Sequence, residues 1–271
     1  MEQYIQCGDI AENPLYVKEL GIHIYTAEEF CYYIFNNTYL LGEDFISTEV
    51  MEFFRNGINM PELADKIVKY NESSADMGSV LVMIMREIRY YEENQIEQFQ
   101  DRLNRMHSQS QLDRNKERGD LLLEKGRFEC AVQIYSQTLQ MPRDLRQKNQ
   151  FYGRVLQHMG VAYLRMGYAD EAMECLEAAY AELKREEILE QMYYLALQTG
   201  RPFAKELECV ASSQIARWQS HYMEVETRLQ EQSEKETIVR SIGEDNEINQ
   251  KISQDYLTQR KRAYCHMVMD E

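Results

Sequence analysis

The stretch Arg118–Pro142, RGDLLLEKGRFECAVQIYSQTLQMP, returns in altered form at Met159–Leu183 as MGVAYLRMGYADEAMECLEAAYAEL. Laid on their first glycines, Gly119 meets Gly160, Leu122 meets Tyr163, Gly126 meets Gly167 and Ala131 meets Ala172, each pair 41 positions apart. A shared offset at four positions reads as one supersecondary unit used twice. Gly119 and Gly160 are expected where two helices cross, because a side chain there would hold them apart. Gly126 and Gly167 are expected to reverse the chain between antiparallel helices. Ala131 and Ala172 let the second helix approach closely, followed four residues on by Tyr135 and Leu176, and tyrosines fill the space between pairs.

A small residue and an aromatic on a first helix, a small-residue turn, then alanine and a large apolar residue resembles the tetratricopeptide repeat over about residues 109–210. Pro142 closes the first unit. The period of 41 exceeds the family's usual value of about 34. The seven extra residues equal about two helical turns, which Asp144 would open by capping a first helix that runs on to Met166. A third unit is suggested by Gly200, 33 positions after Gly167, with Leu189, Tyr193 and Leu197 on its first helix. Lys205 stands where its packing alanine belongs, so that unit is degenerate.

The resemblance implies an all-α fold of antiparallel helix pairs stacked as a right-handed solenoid, whose first helices line a groove that holds a peptide or a partner's helix. Helical spacing from the matched glycines places Lys116, Asp120 and Leu123 on that groove from the first unit. Arg154, Gln157, Val161 and Leu164 follow from the second, and Glu187, Glu190 and Tyr194 from the third. Members of the family that clamp a C-terminal carboxylate use lysine, asparagine and arginine on these helices. Lys116 and Arg154 fit, whereas Asp120 and Glu187 would repel a carboxylate, which argues against that sub-class.

Before the repeats, residues 1–92 read as an acidic helical cap with a small β-ribbon. Tyr4–Cys7 and Ile22–Tyr25 alternate apolar and polar residues around the turn-prone Gly8-Asp9 and Asn13-Pro14. Thr26 with Glu29 forms a capping box, Thr48 opens a helix stopped at Gly57, and Pro61 starts a third. Ser73 and Ser74 precede the periodic run Met77, Leu81, Ile84, Ile88, Tyr91, with a boundary near Glu92–Asn94. The repeat region then occupies 93–210 and long C-terminal helices 211–271. There Ala211, Ile215, Trp218, Tyr222, Val225 and Leu229 form a heptad seam, broken at Gly243 and loosely resumed by Ile248, Ile252, Tyr256 and Met267. A helical hairpin capping the array is the simpler reading; a homodimer through the 211–229 seam is the other.

The net charge is −16, and the first 100 residues hold 18 Asp and Glu against 6 Lys and Arg, so a phosphate backbone would be repelled and no nucleic acid is expected. The six cysteines, Cys7, Cys31, Cys130, Cys175, Cys209 and Cys265, lack zinc spacing and read as free thiols of a reducing compartment. Met1–Val17 lacks the features of a signal peptide, and the longest apolar run, Val80–Met85, is too short to span a bilayer, so a cytoplasmic protein without a membrane partner is expected.

No P-loop, dinucleotide fingerprint, zinc-protease or nucleophile-elbow motif occurs, and no cofactor or metal is expected. His23, His107, His158, His221 and His266 are far apart, and His158 reads as a lining or core residue. The residues thus point to a non-catalytic adaptor or scaffold that binds a protein or peptide. A peptide-responsive transcription regulator is the second reading, since Leu63-Ala64 ahead of Ser73–Ser79 faintly suggests a helix-turn-helix, although Asp76 and a late Arg86 speak against it. An enzyme of unrecognised class is the third. Met77, Met83 and Met85 would offer a partner surface if uncovered, and otherwise belong to the core.

Overall fold

The computed structural model describes residues 10–42, 44–72, 76–144 and 149–241. Among these the chain is mostly helical, with eleven α-helices and one two-stranded ribbon. It divides into two units, residues 1–188 and 189–271.

In the first unit, β1 (Leu15–Val17) pairs antiparallel with β2 (Ile22–Ile24), Leu15 opposite Ile24 and Val17 opposite Ile22. Ile22–Ile24 therefore takes a nearer partner than the expected Tyr4–Cys7, which lies outside the described residues. Gly21, at φ +64°, closes a connection of four residues, and a short closure costs less chain entropy than one reaching back to Cys7. Leu15, Val17 and Ile24 turn inward while Tyr16 and His23 face solvent.

α1 (Ala27–Asn36) starts where Thr26 Oγ1 accepts the Glu29 N–H at 3.2 Å, and the Glu29 carboxylate accepts the N–H of Tyr25 at 2.6 Å. The capping box is present with its return bond one residue early. A 3-10 turn at Thr38–Leu40 leads to α2 (Thr48–Glu52), which runs on as a π-helical turn, Phe53–Gly57. α3 (Pro61–Glu72) begins at the expected proline. α4 (Met77–Ile88) is capped by Asp76, whose Oδ1 accepts the Ser79 N–H at 3.0 Å, and α5 is Glu93–Ser108.

Phe30, Ile34, Phe54, Ile67, Leu81, Ile84, Met85, Phe99 and Leu103 make the centre of one core. Met85 is wholly buried in it and Met77 and Met83 pack on its rim, so the methionines of α4 serve packing. Arg86 is held by Glu93 at 2.9 Å. Ile96, Phe99, Leu103 and Met106 of α5 extend the core beyond the turn at 89–92.

α6 (Gln111–Glu124) and α7 (Phe128–Gln140) fold back on one another, as do α8 (Asn149–Met166) and α9 (Ala169–Leu183), and α7 also packs on α8. Residues 145–148, between Asp144 and α8, lie outside the described residues. The reversals fall at Gly126, φ +73°, and Gly167, φ +85°, a region that costs an L-residue roughly 1–2 kcal/mol.

Leu122, Ala131, Tyr135 and Val155 form the core of these helices, and Leu40 from the N-terminal 3-10 turn is inserted among them at 1% exposure. Leu40→Ala removes that plug and costs about 2–5 kcal/mol, read as a lower urea midpoint at unchanged m. An unmoved midpoint would show that the cap is not anchored through Leu40.

The second unit begins in the first turn of α10 (Glu186–Thr199), which buries Met192, Tyr193, Leu195 and Ala196. Gly200, at φ +67°, ends it. Where a second packing helix belongs there is a 3-10 turn, Lys205–Cys209, with Lys205 exposed, before the 30-residue α11 (Ser212–Ser241). Tyr193 stacks on Phe203 with centroids 5.2 Å apart and meets the buried Trp218 at 5.8 Å; Tyr194 meets Tyr222 at 5.7 Å. Along the seam of α11, Ala211 lies ahead of the helix, Trp218 is buried, Ile215, Tyr222 and Val225 are half-buried, and Leu229 is exposed. The break at Gly243 and everything after it fall outside the described residues.

Candidate partner-binding face

Gly119 sits under the ring of Tyr135. A Cβ there would stand 2.8 Å from Tyr135 Cδ1 and 2.9 Å from its Cζ, distances that real Cβ atoms do not adopt. The absent side chain brings α6 close enough to α7 for the Tyr135 hydroxyl to donate to Asp120 Oδ1 at 2.7 Å. His158 Nδ1, from α8, lies 2.7 Å from the same oxygen, and Lys116, one turn before Asp120, pairs with Oδ2. One carboxylate thus joins three helices. Burial alone would raise the Asp120 carboxyl, but hydrogen bonds from His158, Lys116 and Tyr135 outweigh it and bring it down to about 2. The Tyr135 phenol is pushed upward by burial and by Asp120.

At the second repeat Gly160 plays the same part more loosely. A Cβ would meet the Ala172 carbonyl oxygen at 3.2 Å, Cys175 Cβ at 3.3 Å and Leu176 Cγ at 3.4 Å. Ala131 and Ala172 are wholly buried, and Tyr163 is half-buried beside Tyr168. Gly153 makes a further close approach that the repeat alignment passes over, where a Cβ would meet Leu183 Cδ2 at 2.9 Å and Glu182 Cβ at 3.1 Å. It lies seven residues before Gly160, two turns up the same helix face. Spacing from Gly160 was the signal for it.

Of the residues expected on the groove, Lys116 is 15% exposed and committed to Asp120, and Leu123 is half-buried against the Leu122–Tyr135 core. Arg154 and Leu164 are exposed on α8, with Gln157 and Val161 half-buried between them. Glu187 is exposed at the end of the first unit. In the second unit the Tyr194 hydroxyl donates to Glu190 at 2.5 Å. The participation of His158 and the Tyr135 hydroxyl could be sought in the i,i+4 pair Lys116/Asp120, whose half-buried carboxylate has room for further donors.

Cys31, Cys130, Cys175 and Cys209 are free. Burial, aided by Glu28, pushes the Cys31 thiol up to about 12, and burial with Glu174 pushes Cys175 up to about 11, so neither is a ready nucleophile. Among the described residues no cluster of His, Cys, Asp or Glu has metal-binding geometry, and no helix is long and apolar enough to cross a membrane. In comparison with known proteins, the chain matches no family model, no curated protein and no solved structure.

Proposed function

We propose that this chain is a non-catalytic adaptor of the tetratricopeptide type, which holds a peptide or helix of a partner protein on the face of α8 between Arg154 and Leu164. The observation that carries the reading is the state of the polar residues. Lys116, His158 and Tyr135 all converge on Asp120 and are consumed in holding three helices together, whereas Arg154 and the 40%-exposed Leu164, on α8 like His158, are presented outward. Arginine is one of the residue types that most often anchor a protein contact, and Leu164 adds exposed apolar surface about 15 Å further along the same helix. The close approaches at Gly119 and Gly160 and the positive φ of Gly126 and Gly167 support stacked helix pairs behind that face. The same convergence speaks for a structural role of this ionisable cluster, because its carboxylate is already satisfied.

A photo-crosslinking amino acid placed at Arg154 or Leu164 gives a discrete crosslinked protein in cells, while the same probe at Glu174 or Ala178 on the exposed side of α9 does not. Equal yields from both faces, or none from α8, overturn the proposal.

A further inference from the structure

Among the described residues the ribbon has two strands, and none of these residues pairs with the outer edge of β1. Beside it lie two hollows of about 450 and 390 Å³ that share Leu15, Tyr16, Lys18 and Glu49, one extending towards Glu52, Phe53 and Asn56 and the other towards Glu19, Asp44 and Phe45. They form one groove between β1 and the α2–π-turn segment. Four carboxylates line it, Glu19, Asp44, Glu49 and Glu52, against the single cation Lys18, and none of the four has a salt-bridge partner among the described residues. Tyr16 is 48% exposed at its middle, with the His23 ring 5.0 Å away. Pro14 and Lys18 bracket the strand, and both residue types discourage unrestricted edge pairing. Among the described residues, what remains open is the short stretch Leu15–Val17.

We propose that this groove takes a short extended segment of a partner protein that adds to the β1 edge and carries lysine or arginine at alternate positions. In a strand, alternate side chains face the same way at roughly 6.5–7 Å spacing, so successive cations reach successive carboxylates along the groove while backbone groups pair with β1. Tyr16 offers its ring face to one of them. The acidic lining selects the charge, and the unpaired backbone selects the extended form. The surface is separate from the α8 face, and either proposal can fail while the other stands.

The probe is a fluorescent eight-residue peptide of alternating lysine and valine, titrated into the full chain at about 50 mM salt, where exposed charges are weakly screened. Binding is expected and is lost with the alternating glutamate–valine peptide. Paired charge reversal, Glu49→Lys with Glu52→Lys, weakens binding by about tenfold or more, while Glu97→Lys with Glu174→Lys, which changes net charge equally at exposed sites elsewhere, leaves it within about twofold. N-methylation of alternate peptide amides keeps the charges and removes strand pairing, and it abolishes binding even to the unaltered chain, so this arm does not depend on how any variant folds. Equal weakening by both charge-reversed pairs, undiminished binding of the methylated peptide, or no binding of the lysine–valine peptide overturns the proposal.

Discussion

Gly119→Ala lowers the stability of the unit spanning residues 1–188 by about 2–3 kcal/mol, seen as a fall of about 5–10 °C in melting temperature. The added methyl would occupy space held by the Tyr135 ring, which is fully buried and tied through its hydroxyl to Asp120. Neither end of that ring yields easily, so α6 and α7 must separate. The second repeat shows how to relieve the strain. At the position equivalent to Tyr135 it has Leu176, at that of Asp120 it has Val161, and the space over Gly160 is wider, at 3.2–3.4 Å. Rebuilding the first repeat on that plan, with Gly119→Ala, Asp120→Val and Tyr135→Leu together, is expected to cost less than the sum of the separate changes, because the residues touch. Strict additivity in urea melts, or a Gly119→Ala midpoint equal to wild type, would refute the crossing as the reason for this glycine.

That contrast also shows which parts of the molecule could be read beforehand. Glycine and alanine recurring at one offset mark helix crossings and turns because backbone geometry admits few other residues there, and Gly119, Gly126, Ala131, Gly160, Gly167 and Ala172 all occupy such places. Pro61 and Thr26 are local in the same sense. The strand Leu15–Val17 is not legible in the sequence because at three residues it is too short for alternation to stand out, and its register depends on Gly21 adopting a left-handed turn. The face of α6 shows a different limit. Helical spacing says that Lys116 and Asp120 share a side of the helix, but whether they meet a ligand or each other depends on Tyr135 and His158, which arrive from 15 and 38 residues away. Periodicity locates a face, and only tertiary packing decides what covers it.

Asp120→Asn tests that covering directly, and it is expected to cost about 2–3 kcal/mol near neutral pH. Removing one member of a buried ion pair costs about 3–5 kcal/mol, discounted here because Asp120 keeps 25% of its side-chain exposure. The isosteric amide still offers an oxygen to Tyr135, so the loss falls chiefly on Lys116 and His158, both left facing a neutral group. The pH dependence separates this charge effect from packing. In the folded chain the carboxyl is held down at about 2, against an ordinary value of 3.8. Between those values the unfolded chain binds a proton that the folded chain does not, so stability rises with pH. The contribution is complete above 3.8 and is lost as pH falls through about 2. Wild type and Asp120→Asn melts should therefore lie apart at pH 5 and converge towards pH 2. Asp76, also held low by Ser79, titrates equally in both proteins and cancels in the difference. A gap that stays constant over this range would mean that the ionised carboxylate does not bind the three helices together. In that case Lys116 would be free to meet a partner, and the binding face would have to be redrawn to include α6.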